Sequence, residues 1–468
     1  MLRPSRGSPP HPRPFSPRGI GLYTTLEICY LLTNDFKLSI DKRLQKRFTK
    51  LVQSHVSVST LAAHGVKTGI DSTKAASQAQ AMWRFLSNDS VKPTELIKPL
   101  QQAVRESCSG SSSPFVLVIH DWCKLDFKRH LSKSDLLQVT HEHDIGYDLT
   151  ASLAVEADRG VPLAPVAMHL RTSKKLHSTC TAAPKKSDHH LNQLAPTMDE
   201  IETLELGRKP VHIIDREADS LGRFRTWSAA GHLFLLRCDD RRVKHDGNSV
   251  LLSEINEKLN ADVLFQKAGT ARYHGKKVQL QVAEVVVVLS GAHTTRVGGK
   301  QREISGAPLT MRAVFVRLVD KDNYILAEWM LLTNVPASGA DAATIGLWYY
   351  FRWRIESFFK LLKSAGHEIE YWQQTKGKAI LCRLLIASAA CVYVWQLRRD
   401  KSEQAAKLRS YLMKLSGRQT KWGVESTASA LLAGWYTMVA MLTLLEGGIS
   451  TDELRQLVKN TAPPGFFV

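Results

Sequence analysis

Two short apolar runs, each leading into an aspartate, constrain this 468-residue chain more than any other feature. FVLVIH (115–120) runs into Asp121, and VHII (211–214) runs into Asp215. Continuous apolar runs of that length are typical of strands buried on both faces. A carboxylate closing such a strand emerges at the carboxyl end of a sheet, where open α/β sheets place their sites. LTASLAV (149–155), LAPVAMHL (163–170) and HLFLLR (232–237) are further strand candidates, and MDEIETLELG (198–207) is a helical one. The expectation is a mixed α/β core. Taken singly, either aspartate reads as a turn residue at a strand end.

The flanks differ from that core. Residues 1–19 are rich in Pro, Arg, Ser and Gly, too polar to offset their chain entropy by burial. Residues 36–104 carry helical patterns, among them the basic amphipathic FKLSIDKRLQKRFTKLVQSH, then AASQAQAMWRFLSN and PTELIKPLQQAVRES. VQLQVAEVVVVL, TMRAVFVRLV and YILAEWMLLT make residues 241–328 strand-rich, more sheet than a plain α/β core needs. From about 340 the chain reads as helical to its end, with a basic, polar break at 398–422. The expected division is a disordered extension (1–35), a helical DNA-binding unit (36–105), the first part of the core (106–240), a β-rich insertion (241–328), the second part of the core (329–400) and a C-terminal helical region suited to dimerisation (401–468).

Charge narrows the partners. Lys and Arg number 63 against 44 Asp and Glu, a net charge of +19 with pI near 9.6. Such an excess favours polyanions through counterion release, nucleic acid first and an anionic membrane surface second. The seven cysteines form no Cys-x2-Cys pair and are odd in number, which argues against a zinc finger or a disulfide framework and fits a reducing compartment. No secretory signal pattern is seen. Residues 428–445 are uncharged over 18 positions, the lower limit for a membrane span. They read as a buried helix, and no membrane association is expected. His141-Glu-His143-Asp144 and Asp188-His189-His190 fit no helical zinc spacing and read as solvated loops.

Chemistry enters with GADAATIGLWYYFRWRIESFFKLLKSAG (339–366), read as one helix. Leu347, Phe351, Ile355, Phe358 and Leu362 form an apolar stripe. Tyr349, Arg352, Glu356 and Lys363 fall within a separate sector of roughly 60°, with Lys360 near it. Alone, that sector reads equally as a solvated, salt-bridged face. Together with Asp121 and Asp215 it can close a cluster of three carboxylates. Such a cluster repels itself unless a cation sits within it, and all-oxygen donors suit Mg2+ or Mn2+. Two such ions can activate an attacking water or hydroxyl and stabilise a leaving oxygen. Glu217 and Asp219 read either as supports for that cluster or as helix-start acids.

Tyr349-x2-Arg352-x3-Glu356-x6-Lys363 resembles the Tyr-Arg-Glu-Lys signature of the hairpin-forming bacterial insertion-sequence transposases, the IS-four group. Asp-Arg-Glu-Ala-Asp (215–219) and VIHDWCKLDF (118–127) resemble the segments around that group's two catalytic aspartates. KRFTKLV and MWRFLSNDSV are similar to its N-terminal DNA-binding region. The resemblance covers roughly residues 36–400. It implies an RNase H-like catalytic core interrupted by a β-sheet insertion. Asp121, Asp215 and Glu356 would be the catalytic, metal-ligating residues, with two Mg2+ or Mn2+ ions. Tyr349, Arg352, Lys360, Lys363 and Arg237 would contact transposon-end DNA. Trp329 would receive a flipped base. Residues 1–35 have no counterpart in the family, and 447–468 match it only weakly.

The expected function is cut-and-paste DNA transposition by strand nicking, hairpin formation and opening, and strand transfer. The expected partners are double-stranded terminal inverted repeats and target DNA, bound by a homodimer in the cytoplasm of a bacterium, at the nucleoid. Two rivals are an RNase H-like nuclease that never joins strands and a catalytically silent DNA-binding regulator. The acidic triad argues against the second and the Tyr-Arg-Glu-Lys helix against the first.

Overall fold

The computed structural model describes residues 38, 40–57, 75–182, 189–262, 264–297, 300–364, 366–418, 426–446, 448 and 450–461. The expected extension at 1–35 lies outside them. The helices α1 (Lys42–Ser57), α2 (Ala75–Ser87), α3 (Pro93–Leu96) and α4 (Lys98–Ser109) come first. PTELIKPLQQAVRES is thus two helices, because Pro99 lacks an N–H and starts a new one. Strands β1 (Phe115–Asp126), β2 (Leu137–Gln138), β3 (Ile145–Glu156), β4 (Pro162–Arg171) and β5 (Leu176–Ser178) precede α5 (Leu194–Thr203), β6 (Lys209–Ile214), α6 (Leu221–Ala229) and β7 (Leu233–Arg237).

Beyond β7 lie β8 (Arg242–His245), β9 (Asn248–Leu251), α7 (Leu252–Ala261), β10 (Gln266–Tyr273), β11 (Lys276–Leu289), β12 (His293–Val297), β13 (Lys300–Ile304), β14 (Leu309–Val319) and β15 (Ile325–Thr333). The chain then passes through α8 (Ala342–Tyr350), α9 (Trp353–Lys363), α10 (Gly377–Arg399), α11 (Glu403–Leu415), α12 (Ala428–Glu446) and α13 (Thr451–Thr461).

One 13-stranded sheet runs in the order β5-β4-β3-β1-β6-β7-β15-β14-β11-β8-β9, with β2 on β3 and β10 on β11. Within it β3 runs antiparallel to both β4 and β1, whereas β1, β6 and β7 are parallel. This mixed centre is consistent with an RNase H-like core. Apart from the β12–β13 hairpin, the described strands after β7 belong to the same sheet as the core. They continue it, because β15 pairs antiparallel with β7 through Leu331↔Arg237. β15 therefore crosses the expected boundary at 328/329. Only the β12–β13 hairpin stands apart among the described strands. The helix α7 was not anticipated there. It buries Leu252, Ile255 and Leu259 along one face.

Strand alternation assigns the two faces of the sheet. Leu194 and Met198 of α5, Phe224 and Trp227 of α6 and the apolar face of α7 cover one side, over Ile214, Phe234 and Leu236. Ile355, Phe358 and Leu362 of α9 and nearly the whole of α10 cover the other, with Val211, Ile213 and Leu235. α10 is long and apolar enough to cross a membrane by length and composition alone, yet 89% of its apolar stretch is buried inside the protein. The uncharged stretch at 428–445 forms α12, whose Leu431, Leu432 and Trp435 pack with Val394 of α10 and Leu412 of α11. The polar break expected at 398–422 contains α11, capped by the Ser402 hydroxyl, which accepts from Ala405 N at 3.2 Å.

Candidate active site

Asp121 does not end its strand. β1 continues to Asp126, because β3 remains its antiparallel partner as far as Asp126↔Gly146. Its parallel partner β6 leaves earlier, after Ile119↔Ile213. Asp121 thus sits beside the point where one neighbouring strand stops. Asp215 is the first residue past β6 and caps a short 3-10 turn, accepting from Arg216 N at 2.8 Å. Both aspartates project from the sheet face that α9 covers.

The segment expected to be one helix is two. Asp341 caps α8 by accepting from Thr344 N at 2.8 Å. At residues 351–355 the backbone tightens: Arg352 N, Arg354 N and Ile355 N donate three residues back, to Tyr349, Phe351 and Arg352. The β3–β4 turn holds this junction. Arg354 Nε donates to Gly160 O at 2.7 Å and Trp348 Nε1 to Ala157 O at 3.1 Å. Gly160 has φ +62°, and a Cβ there would lie 2.2 Å from the Phe351 ring. Tyr349 and Arg352 therefore lie one tight turn apart across a break, and Glu356 and Lys363 lie on the second helix.

The break places Arg352 among three carboxylates. Its guanidinium lies 3.2 Å from Asp121 Oδ2, 3.6 Å from Asp215 Oδ2 and 2.8 Å from Glu356 Oε1. Tyr349 donates its hydroxyl to Asp215 Oδ1 at 3.1 Å. Burial pushes the Asp121 carboxyl up to about 6, against the opposing pull of Arg352 and of the Trp122 N–H. Burial also disfavours Asp215 ionisation, but Arg352, the Arg216 N–H and Tyr349 outweigh it and hold that carboxyl below its ordinary value. The same charges raise Arg352 despite its burial, and burial with Asp215 raises Tyr349. Three carboxylates shared by one cation are an all-oxygen donor set, which fits Mg2+ or Mn2+.

The other expected residues divide. Arg237 ends β7 and its charge favours ionised Asp215. Lys363 Nζ is engaged by Glu370 at 2.9 Å and by Lys124 O at 2.8 Å. Lys360 lines a basic cavity of about 890 Å³ together with Arg159, Arg354, Arg398, Arg399 and Arg409. Trp329 is 8% exposed, with its ring 5.5 Å from Tyr349 and 5.8 Å from Trp353, edge to face in both cases. As it stands it is a packed aromatic.

Glu217, read from the sequence as either a support or a helix-start acid, belongs to a network with Trp122 and His190. Trp122 Nε1 donates to Glu217 Oε2 at 2.8 Å, and its ring stacks on His190 at 4.1 Å. His190 reaches Glu217 at 2.9 Å through Nε2 and Asp148 at 3.3 Å through Nδ1. His189, His190 and Glu217 lie close enough together to hold a metal, but both ring nitrogens of His190 are already engaged by carboxylates. Trp122 directly follows Asp121 and Glu217 follows Asp215 by two, so adjacency was the available signal. Asp219 pairs instead with Arg241 and accepts from Asp239 N.

Residues 165–394 match the family described as the transposase DDE domain. The chain is a DDE-type transposase. No curated protein matches it. The transposase is accordingly a metal-dependent enzyme that cleaves and rejoins phosphodiesters, and DNA is its substrate and partner. The matched span holds Asp215 and Glu356. Asp121 lies upstream of it; the β1–β6 register brings it to Asp215, and the packing of α9 on β1 brings it to Glu356.

Proposed function

We propose that the transposase performs cut-and-paste transposition, with Asp121, Asp215 and Glu356 as the catalytic carboxylates, Tyr349, Arg352, Lys360, Lys363 and Arg237 on the transposon-end DNA and Trp329 as the platform for a flipped base. The observation that carries this reading is the meeting of three carboxylates, from β1, the end of β6 and α9, around the Arg352 guanidinium. When bound there, two Mg2+ or Mn2+ ions supply an activated water or 3′-hydroxyl and a stabilised leaving oxygen. Arg352 would turn from the carboxylates to the scissile phosphate, exchanging one set of oxygens for another. Tyr349 holds Asp215 in place during that exchange. The basic cavity beside α9 continues the positive surface for the DNA backbone.

The order of steps follows from one in-line displacement repeated at phosphorus: nicking, attack of the freed 3′-hydroxyl on the opposite strand, opening of the hairpin and joining to target. The arrangement of Trp329 against Tyr349 supports the hairpin step, since a base leaving the stack needs an aromatic face. Cleavage and strand transfer by Asp121→Asn, Asp215→Asn and Glu356→Gln test the assignment. Each should lose about a thousandfold or more in rate, since the metal's charge stabilisation is worth several kcal/mol. Gel-shift binding of end DNA should persist, because it rests on basic contacts to phosphate. Cleavage at the normal rate by any variant removes that residue from the site.

A further inference from the structure

On the opposite face of the sheet from the three carboxylates lies a second cluster that the transposition chemistry does not use. Its members are Glu202 of α5, His212 of β6 and His232, the residue before β7. Glu202 Oε1 is 3.8 Å from His212 Nε2 and 3.7 Å from His232 Nδ1, and all three atoms lie within 4.8 Å of one another. These separations are too long for hydrogen bonds. All three atoms are buried with no hydrogen-bond partner among the described residues. His212 is 0% exposed and His232 3%. Three polar atoms oriented at one another, buried and without protein partners, are costly unless something sits between them.

The surrounding bonds state what that something is. His232 Nε2 meets Asp199 Oδ1 at 2.7 Å, so its ring proton is placed there and Nδ1 carries the lone pair. His212 Nδ1 meets His120 Nε2 at 2.8 Å, and His120 Nδ1 meets Ser152 Oγ at 2.9 Å. With His212 Nδ1–H donating to His120 Nε2 and His120 Nδ1–H donating to the Ser152 hydroxyl oxygen, both rings are neutral Nδ1–H tautomers, and His212 Nε2 keeps its lone pair aimed at the cluster. Two imidazole lone pairs and a carboxylate oxygen then converge on one point. The Asp199–His232 pair is the carboxylate–histidine arrangement that orients metal-bound imidazoles. Tetrahedral ligands at about 2.0–2.1 Å from zinc stand about 3.4 Å apart, a small contraction from the 3.8 and 3.7 Å that separate Glu202 from the two histidines.

We propose that Glu202, His212 and His232 bind one Zn2+ per chain, with water as fourth ligand, at a structural site distinct from the catalytic carboxylates. Two nitrogens and one oxygen select Zn2+ over the Mg2+ or Mn2+ suited to an all-oxygen site. The ion clamps α5 to β6 and to the start of β7. β6 ends at Ile214, directly before Asp215, so the clamp fixes the strand that presents the second acid.

Co2+ is the probe, because a tetrahedral nitrogen–oxygen site gives intense visible absorption and an octahedral oxygen site does not. The full-length protein, stripped with chelator, is titrated with Co2+ in an Asp121→Asn/Asp215→Asn background that removes the catalytic site. The expected result is intense bands saturating at one equivalent, bleached by one equivalent of Zn2+, and a thermal midpoint raised by several degrees with Zn2+. Glu202→Gln, on the least buried ligand, should weaken Co2+ binding at least tenfold with an unchanged far-ultraviolet spectrum. His232→Gln should abolish the bands. Absence of tetrahedral bands in the parent protein overturns the proposal. So does their survival in His232→Gln, which would place the ion elsewhere. A crystal structure showing only a water among the three atoms, after growth in Zn2+, also overturns it.

Discussion

Tyr349 donates its hydroxyl to Asp215 Oδ1 at 3.1 Å, so the last turn of α8 is tied to the end of β6. A hydrogen bond to a charged acceptor contributes about 1.5–3 kcal/mol. Tyr349→Phe keeps the ring packed against Trp329 and removes only that bond. The expected outcome is a loss of about tenfold to a hundredfold in nicking rate, with end-DNA affinity within about twofold of the parent. A metal titration of activity should shift to higher Mg2+, since Asp215 is then less firmly held. Unchanged nicking would make the bond a packing detail.

Asp121 gives a stability prediction with a definite sign. Its carboxyl stands near 6 in the folded protein against 3.8 as the ordinary value, burial being the main cause. Between about pH 4 and pH 6 the native state keeps a proton that the unfolded chain has released, so stability falls as pH rises through that window. Asparagine has no proton to lose. Asp121→Asn should therefore be more stable than the parent above pH 6, by about 1–3 kcal/mol. The advantage should vanish by about pH 4. Chemical denaturation in excess chelator at pH 4 and pH 7.5 measures it. A less stable variant at pH 7.5 would show that Arg352 more than offsets the burial cost.

The junction between α8 and α9 depends on Gly160. Its φ of +62° suits glycine, and a Cβ would strike the Phe351 ring. Gly160→Ala should destabilise the fold by about 1–3 kcal/mol from overpacking, with backbone strain added. Because Phe351 precedes Arg352, cleavage should fall more than stability alone accounts for when assayed well below the melting midpoint. A fully active, destabilised protein would separate the junction from catalysis.

Trp329 tests the hairpin. It is buried between Tyr349 and Trp353, so accepting a base requires one of them to turn aside. Loss of a stacking partner costs about 1–3 kcal/mol. Trp329→Ala should slow hairpin formation about tenfold to a hundredfold relative to first-strand nicking, and an abasic nucleotide at the flipped position should restore part of the loss. Denaturing gels over time resolve the products. Equal slowing of both steps would leave Trp329 a core residue.

The chain displayed its aspartates but not the ends of its strands. VHIID stops where the apolar run stops, since β6 has parallel neighbours on both sides up to that point. FVLVIHD does not, because WCKLD still finds a partner in β3. Strand extent here depends on a neighbour distant in sequence, which local composition does not encode. The break at Phe351 and Arg352 was hidden for a similar reason: no glycine or proline marks it, and a turn near residue 160 holds it. Lys363 read as free for DNA because Glu370 lies beyond the helix that carries it. The fusion of the late strands into the core sheet rests on three residue pairs between β15 and β7, a register set by folding as a whole. The buried histidines were invisible as a group, since 120, 212 and 232 sit on three separate segments.

α10 packs at once on β4, α1, α3, α9 and α12. Ribosomal synthesis delivers Asp121, Asp215 and Glu356 before it reaches Gly377. Until then the nascent polypeptide lacks the helix that covers much of β4 and backs α9. A message cut short between the codons for Lys363 and Gly377 would yield a product with every acid of the proposed site and without the helix that backs the one carrying Glu356.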